Sequence, residues 1–289
     1  MGSSNNSSVG SVRRRRLGST AAATTAALLG LLAATGAPAS AAPGGSADQA
    51  PDRAADRTAA RSERAGAPAT APRAAREAGA APAAATVPLD ITRLAQGTGK
   101  DIAITIDDGP DPRWTPQVLG VLRENHVKAT FCMVGTRAQA HPELVRAVSA
   151  DGHKLCDHSV DHDVTMDHKP VAYQRQQILD GKAMIQKAVP GVSVDYYRAP
   201  GGAFTPESRA VAAAAGMRPL GWSVDPKDWS RPGLKAIVSA VEADLPRQPT
   251  VLFHDGGGDR SETVAALKEY LPWLKERGYT FTFPERNGR

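Results

Sequence analysis

Short apolar runs alternate with longer amphipathic stretches along the chain from about residue 100 onward. Runs of this length, each followed by a stretch with helical periodicity, are typical of parallel βα units. The predicted strands are Ile102–Ile106, Ala129–Val134, His153–Cys156, Val194–Tyr197, Pro219–Val224, Thr250–Phe253 and Tyr279–Phe283. The predicted helices cover about 116–125, 137–150, 171–188, 206–215, 233–244 and 261–277. The pattern therefore predicts an α/β domain, either a barrel or an open doubly wound sheet.

Polar and charged residues come directly after five of the predicted strands. These motifs are Asp107-Asp108-Gly109-Pro110, His158-Ser159-Val160-Asp161-His162, Arg198-Ala199-Pro200-Gly201-Gly202, Asp225-Pro226-Lys227-Asp228-Trp229 and His254-Asp255-Gly256. The carboxyl ends of parallel strands share one face of the sheet, and functional sites are built on that face. Because charged groups are costly to desolvate, their accumulation there predicts an active site.

The second motif contains two histidines that suggest a metal centre. His158 and His162 have the i, i+4 spacing that can place both imidazoles on one side of a helical turn. With one carboxylate from a neighbouring strand end, they form a ligand set typical of hydrolytic sites, with zinc the expected ion and cobalt the alternative. Taken alone, the spacing also fits two surface or capping histidines. The adjacent Asp107 and Asp108 favour the metal, because a turn at the following glycine and proline can bring both carboxylates to one pocket.

The paired aspartates also allow a division of labour. One carboxylate binds the metal, and the other remains free to take a proton from the attacking water. Arg198 is a candidate to hold and orient that base, and His254 is a candidate acid for the leaving group. Each motif alone has an ordinary interpretation as a turn, a loop or a packed histidine. Their occurrence together at five strand ends favours a hydrolytic site.

The five motifs, in this order, resemble those of the NodB-type polysaccharide deacetylases, carbohydrate esterase family 4. The resemblance covers about residues 98–286 and implies a distorted (β/α)7-8 barrel, the NodB homology domain, with a groove for a polymer. It also implies a role for each site residue: Asp108, His158 and His162 as metal ligands, Asp107 as general base, Arg198 as the residue that steadies the base, His254 as general acid, Asp228 as the residue that tunes the acid, and Trp229 and Leu252 as the wall of the acetyl pocket.

The sequence departs from the family pattern at two motif positions. Ile106 stands where the family more often has Phe, which exchanges one apolar side chain for another. Gly201 stands where the family often has Tyr. The role implied at this position is a backbone N–H that donates to the oxyanion, and glycine supplies that group equally well. The missing ring is expected to widen the groove and change the substrate preference.

The basic character of the chain is concentrated at its N-terminus. The 289 residues carry a net charge of +5 with 41% hydrophobic residues, yet charges from residue 87 onward balance. Arg13–Arg16 precede an apolar stretch that ends in Ala39-Ser40-Ala41, which predicts a cleaved signal peptide over residues 1–41. An uncleaved membrane anchor is the alternative. Residues 42–88 form an Ala/Pro/Arg-rich segment almost without large apolar side chains, which predicts a disordered linker. The catalytic domain is then expected over residues 89–289.

Because the excess positive charge lies near the N-terminus, the net charge of the whole chain does not describe the folded domain. A neutral folded domain does not favour a nucleic-acid partner. We expect a secreted, extracellular or cell-wall-associated monomer with no stable membrane insertion after signal cleavage. The arginines ahead of the apolar stretch leave the general secretory and the twin-arginine routes both open.

The two cysteines lie in consecutive predicted strands of the exported domain. Export favours an oxidised pair, and neighbouring strands can bring Cys132 and Cys156 together. Two buried free thiols are the alternative, and neither thiol has the surroundings of a catalytic nucleophile.

The function that the resemblance implies is hydrolysis of N-acetyl groups of GlcNAc-containing polymers, peptidoglycan or chitin-like, with release of acetate. An O-acetyl esterase acting on xylan would use the same machinery. A non-catalytic carbohydrate-binding module on this fold is a rival from another class. Such a module is expected to lack the base, the acid or a metal ligand, and this sequence has all of them.

Overall fold

The computed structural model describes residues 87–243 and 245–288. The predicted signal peptide, and the predicted linker up to residue 86, lie outside the described residues. The strands are β1 (Asp101–Asp107), β2 (Thr130–Met133), β3 (Lys154–Asp157), β4 (Val194–Tyr197), β5 (Arg218–Pro219), β6 (Thr250–His254) and β7 (Thr280–Thr282). The helices are α1 (Thr115–Glu124), α2 (Gly135–Ala140), α3 (Pro142–Ala150), α4 (Val171–Ala188), α5 (Pro206–Ala214), α6 (Leu234–Ala243) and α7 (Ser261–Glu276). Three-residue 3₁₀ turns lie at Met166–His168, Pro200–Gly202 and Asp228–Ser230.

The strands form one parallel sheet in the order β5-β4-β3-β2-β1-β6, and β7 pairs with the beginning of β1. Each connection between strands that are consecutive along the chain passes through at least one helix, and the connection between β5 and β6 passes through α6. This arrangement confirms the predicted parallel βα units. It is a half-barrel of parallel strands with surrounding helices, which agrees with the distorted barrel that the family resemblance implies.

The predicted strand over residues 219–224 is much shorter in the structure. Only Arg218–Pro219 forms a strand, because at Gly221 the main chain turns to Thr92 and donates to its carbonyl oxygen at 2.8 Å. The chain then returns to the sheet at Val224, whose carbonyl oxygen accepts from Leu252 N of β6 at 3.0 Å. Between β5 and β6, a single isolated bridge at Val224 therefore stands in place of a continuous strand pair, which makes the barrel irregular.

Side chains of β1 alternate between two environments, as the two-residue period of a strand requires. Ile102, Ile104 and Ile106 are fully buried in the hydrophobic core between the sheet and the helices. Thr105 and Asp107 belong to the opposite set, and both hydrogen-bond to the Arg198 guanidinium inside the barrel. The same alternation places the last residue of β1 at the site rather than in the core.

The predicted helix over residues 137–150 is two helices in the structure. Pro142 begins α3, and the residue before a proline is disfavoured in the α conformation. His141 accordingly adopts φ −129° and ψ 59°, which separates α2 from α3. In the part of the chain that the structure describes, no helix is both long and apolar enough to cross a membrane.

A small second cluster fills the inside of the barrel beneath the site. It consists of Cys132, Cys156, Tyr196 and Leu220, all nearly inaccessible to solvent. Cys132 and Cys156 are register partners on β2 and β3, and their sulfurs form a disulfide. Of the two alternatives that the sequence left open, the structure contains the disulfide, and this bridge joins two strands whose ends form part of the site.

Candidate metal centre and acid–base site

The motifs that follow the strands converge on one cavity of about 540 Å³ at the carboxyl ends of the sheet, hereafter the strand-end cavity. The predicted site residues that line it are Asp107, Asp108, His158, His162, Gly201, Trp229, Leu252 and His254. Arg198 and Asp228 lie behind this lining, fully or almost fully buried. The parallel topology thus brings together residues that are up to about 150 positions apart in the sequence.

The three predicted ligands form a compact cluster. Ligand atoms of Asp108, His158 and His162 all lie within 4.8 Å of one another. Asp108 Oδ1 is 3.1 Å from His162 Nε2 and 3.5 Å from His158 Nε2. This oxygen is buried and makes no hydrogen bond to the described residues. A buried carboxylate oxygen without a hydrogen bond, facing two imidazole nitrogens, fits a divalent cation bound among the three.

A left-handed backbone, rather than the expected helical turn, brings the two histidines together. The segment between β3 and the turn at residues 166–168 is irregular, so the helical geometry suggested by the i, i+4 spacing is wrong. Asp108, Ser159 and His162 have positive φ values of 73°, 67° and 62°. Side chains with a Cβ atom rarely adopt this conformation, and such residues concentrate at functional sites. Ser159 Oγ supports the turn by accepting from His162 N at 3.1 Å.

The tautomer of His158 is set by a main-chain contact. His158 Nδ1 lies 2.8 Å from the carbonyl oxygen of Arg198, which can only accept a hydrogen bond. The proton is therefore on Nδ1, and Nε2 keeps its lone pair toward Asp108. This is the orientation that a metal-binding histidine needs.

The charges of the cluster shift two pKa values. Burial would raise the pKa of Asp108, but the imidazole of His158, followed by the charges of His254 and His162, lowers it well below its usual range. Burial lowers the pKa of His162, and the neighbouring His158 lowers it further against the opposing effect of Asp108. Both shifts favour the deprotonated forms that bind a cation.

Asp107 and Arg198 form a buried ion pair beside the ligand cluster. Arg198 Nη1 lies 2.5 Å from Asp107 Oδ1, and the guanidinium is completely buried. Its other N–H groups donate to Thr105 Oγ1 and to the carbonyl oxygens of Leu220 and Gly221. The second carboxylate oxygen of Asp107 faces the cluster, 3.6 Å from His158 Nε2. One oxygen of the Asp107 carboxylate is therefore held by Arg198, and the other remains available to accept a proton.

His254 is held by Asp228 on the opposite side of the strand-end cavity. Asp228 Oδ1 lies 2.7 Å from His254 Nδ1, and Oδ2 accepts from His254 N at 2.9 Å and from Thr263 Oγ1 at 2.8 Å. Burial alone would lower the pKa of His254, but the hydrogen bond and charge of Asp228 outweigh it and raise the pKa. The imidazole therefore remains protonated to higher pH and can donate a proton from Nε2.

The remaining wall of the strand-end cavity is apolar and open. Trp229, which is 51% exposed, and the buried Leu252 line it. Gly201 lies in a 3₁₀ turn with φ +62°, and a Cβ atom there would meet only Val164, at 3.7 Å. Space for a larger side chain therefore exists at residue 201, as the departure from the family pattern suggested.

Sequence reasoning missed several residues around the site. Val164, Trp222 and Arg260 also line the strand-end cavity. Asp255, which the sequence analysis named within a motif but gave no role, is buried beneath this cavity and accepts from Thr115 Oγ1 at 2.6 Å; burial raises its pKa to about 7. Trp222 comes just before the fourth motif, and Arg260 follows a glycine triplet after the sixth strand, so their proximity to motifs was the available signal.

The chain is similar to known proteins of one family. The sequence profile of the family described as polysaccharide deacetylase matches residues 95–220. The chain is 43% identical over 184 residues to a peptidoglycan-N-acetylglucosamine deacetylase of Bacillus cereus, covering 63% of this chain and 85% of that protein. It is 39% identical over 195 residues to a chitooligosaccharide deacetylase of Sinorhizobium fredii, covering 63% of this chain and 90% of that protein.

A solved structure shares the fold. It is a family 4 carbohydrate esterase from Streptomyces lividans in complex with acetate, with a TM-score of 0.58 and 30% identity, covering 65% of this chain and 92% of that one. The relatives are matched over most of their own length, and the five motifs meet at one cavity. The chain belongs to the polysaccharide deacetylase family, carbohydrate esterase family 4.

Proposed function

We propose that this protein is a secreted, metal-dependent deacetylase that hydrolyses N-acetyl groups of GlcNAc-containing polymers, peptidoglycan or chitin-like, and releases acetate. The observation that carries the proposal is the position of two proton-transfer groups on either side of one ligand cluster. Asp107 on β1 and His254 on β6 are register partners, and both line the strand-end cavity with Asp108, His158 and His162. The relatives named above act on acetylated glucosamine polymers, which supports the same substrate class.

A divalent cation, with zinc expected and cobalt the alternative, would be held by Asp108, His158 and His162. When bound, it would polarise the acetyl carbonyl and lower the pKa of water in the site. The buried, unbonded Asp108 Oδ1 and the free Nε2 lone pair of His158 support this ligand set.

The protein groups divide the hydrolysis between them. Asp107, fixed by Arg198, takes a proton from the water that attacks the acetyl carbon. The backbone N–H of Gly201 is the expected donor to the developing oxyanion. His254 gives a proton to the departing sugar nitrogen, and Asp228 stabilises the imidazolium form before that transfer. One water is consumed, and an acetate and a free amine are formed.

The acetyl group itself needs an apolar contact. Trp229 and Leu252 are the side chains at the strand-end cavity that can enclose a methyl group. An open cavity with an exposed indole suits a polymer that lies across the surface rather than a small molecule that is fully enclosed.

The decisive experiment is acetate release from a panel of polymers, with and without a chelator. We expect release from peptidoglycan or chitin oligomers, loss after chelation and recovery with zinc or cobalt. Preferential release from acetylated xylan would instead assign the protein as an O-acetyl esterase. Unchanged activity after exhaustive chelation would contradict the metal assignment.

Secretion is part of the proposal and rests on the sequence. The basic and apolar segments of residues 1–41 support export, and the Cys132–Cys156 disulfide suits an oxidising compartment. The proposed mature protein consists of the linker over residues 42–88 and the catalytic domain over residues 89–289. N-terminal sequencing of the protein recovered from culture medium and from cells tests this, since an uncleaved N-terminus in the membrane fraction would contradict it.

A further inference from the structure

Arg260 immediately precedes α7 and connects two loops of the site. Its guanidinium donates from Nε to Gly256 O at 2.6 Å and from Nη2 to Gly257 O at 3.1 Å. From Nη1 it donates to Asp228 O at 3.2 Å and to Trp229 O at 3.3 Å. One planar side chain therefore ties the loop after β6 to the 3₁₀ turn that carries Asp228 and Trp229.

The guanidinium of Arg260 is buried without an acidic partner. The residue is 3% exposed, and no carboxylate within residues 87–243 and 245–288 forms an ion pair with it. Burying an unpaired charge is unfavourable unless dipoles compensate it. Here four main-chain carbonyl groups supply that compensation. The arrangement links the backbones of the two loops through one side chain.

The turn at Asp228–Ser230 has short-range hydrogen bonds of its own, from Ser230 N and Oγ to Lys227 O and from Arg231 N to Asp228 O. It is flanked by Lys227 and Arg231, both left-handed, with φ 55° and 56°. Such conformations are unfavourable for residues with a Cβ atom and persist where surrounding contacts impose them. Trp229 is half-exposed, so its side-chain packing contributes little to the position of the turn. The hydrogen bonds from Arg260 add a link that the local bonds of the turn do not supply, because they connect its main chain to the loop after β6.

We propose that Arg260 is a positioning residue of the reaction, which holds the main chain of Asp228 and Trp229 so that Asp228 stays bonded to His254 and Trp229 stays at the acetyl wall. The inference rests on the proposed function, because it assigns Arg260 an effect on the general acid. Arg260 acts through these residues and is not itself the acid or the base.

Two substitutions remove the planar fork of donors. Arg260→Lys keeps the charge but replaces the guanidinium by a compact ammonium, and Arg260→Gln removes the charge. Arg209→Lys is the matched control, since the Arg209 guanidinium also donates to main-chain carbonyls, those of Thr205 and Leu89, away from the strand-end cavity. Thermal melting of each variant monitors the global fold.

The first measurement needs no substrate. The Nδ1–H of His254, hydrogen-bonded to Asp228, is expected to give a slowly exchanging imidazole resonance in the NMR spectrum of the full domain. Its absence in His254→Gln assigns it. We expect this resonance to broaden or shift in both Arg260 variants and to remain unchanged in Arg209→Lys.

The second measurement compares two leaving groups. An N-acetylated chitooligosaccharide needs protonation of its amine, whereas 4-nitrophenyl acetate releases a stable phenolate without acid help. We expect Arg260→Lys to lower kcat on the oligosaccharide about 10- to 100-fold, within the range of general-acid contributions. On the aryl ester we expect a loss below about threefold.

The results separate this inference from the proposed function. A perturbed His254 resonance in a protein that releases no acetate from any substrate would support the positioning role and contradict the proposed function. If the wild type is active, the positioning role is overturned by either of two results for Arg260→Lys. The first is an unchanged resonance together with an unchanged ratio of the two activities, and the second is an equal loss of both activities. Failure of both Arg260 variants to fold would also overturn it, because the proposed effect is local.

Discussion

Asp107 and His254 lie directly opposite each other on neighbouring parallel strands, as the last residues of β1 and β6. Each has its own buried partner, Arg198 for Asp107 and Asp228 for His254. In the first pair a cationic guanidinium stabilises a carboxylate, and in the second a carboxylate stabilises an imidazole. A proton acceptor and a proton donor therefore face one cavity without neutralising each other.

The base assignment predicts that Asp107→Asn binds metal but hardly turns over. The amide preserves size and most packing but cannot accept the proton of the attacking water. We expect kcat to fall by at least about 100-fold, with bound metal unchanged by elemental analysis. Asp259→Asn, at an exposed position before α7, is the control. Retained turnover in Asp107→Asn would remove Asp107 from the role of base.

The acid assignment predicts a pH effect with a definite sign. His254 donates a proton only in its protonated form, which is present below its pKa. Because the pKa is raised in the wild type, mainly by Asp228 acting against burial, activity should persist to higher pH before it falls. Asp228→Asn removes that charge, so the alkaline limb of kcat/KM should move to lower pH. A profile displaced to higher pH, or not displaced, would contradict the assignment.

Gly181 on α4 is predicted to maintain the shape of the loop over residues 158–165, which carries His158 and His162 and is called the ligand loop below. A Cβ atom there would lie 2.4 Å from Asp157 Oδ1 and 2.9 Å from the main-chain carbon of Ser159. Gly181→Ala should therefore displace the loop that carries His158, lower the free energy of unfolding by about 1–3 kcal/mol and weaken zinc binding.

Gly120 on α1 provides the matched control, because a Cβ atom there meets nothing within 4 Å. Gly120→Ala should raise the free energy of unfolding by about 0.5–1 kcal/mol through helix propensity. Urea denaturation and zinc titration of both variants make the comparison. Equal effects of the two substitutions would show that the close approach of α4 to the ligand loop has no consequence.

The Cys132–Cys156 disulfide is predicted to stabilise the domain. It closes a loop with a sequence separation of 24 residues, for which the entropy of the unfolded chain predicts about 3 kcal/mol. The double substitution Cys132→Ala with Cys156→Ala should lower the urea midpoint accordingly. Wild type under reducing conditions should approach the same midpoint, and a stability independent of both treatments would contradict the prediction.

Local patterns determined the strands, most helices and the place of the motifs. Alternation of apolar runs and amphipathic stretches reports which backbone segments are buried, and parallel βα units put every strand end on one face. Prediction failed where another interaction opposed the pattern: Pro142 divided one helix, and the contact of Gly221 with Thr92 shortened a strand. The first interaction is visible in the sequence, whereas the second involves residues 129 positions apart.

The sequence by itself therefore determined the fold class and, through the resemblance of its five motifs, the set of residues that meet at the site. Only the tertiary structure decided how they are held. Arg198 reaches Asp107 across 91 positions, and the left-handed turns at Asp108 and His162 replace the expected helical spacing. The hydrogen bond from Arg260 to the main chain of Asp228 likewise joins residues 32 positions apart. Spacing along a chain describes local geometry, but hydrogen bonds between loops are set by the register of strands and the packing of the core, which no local pattern contains.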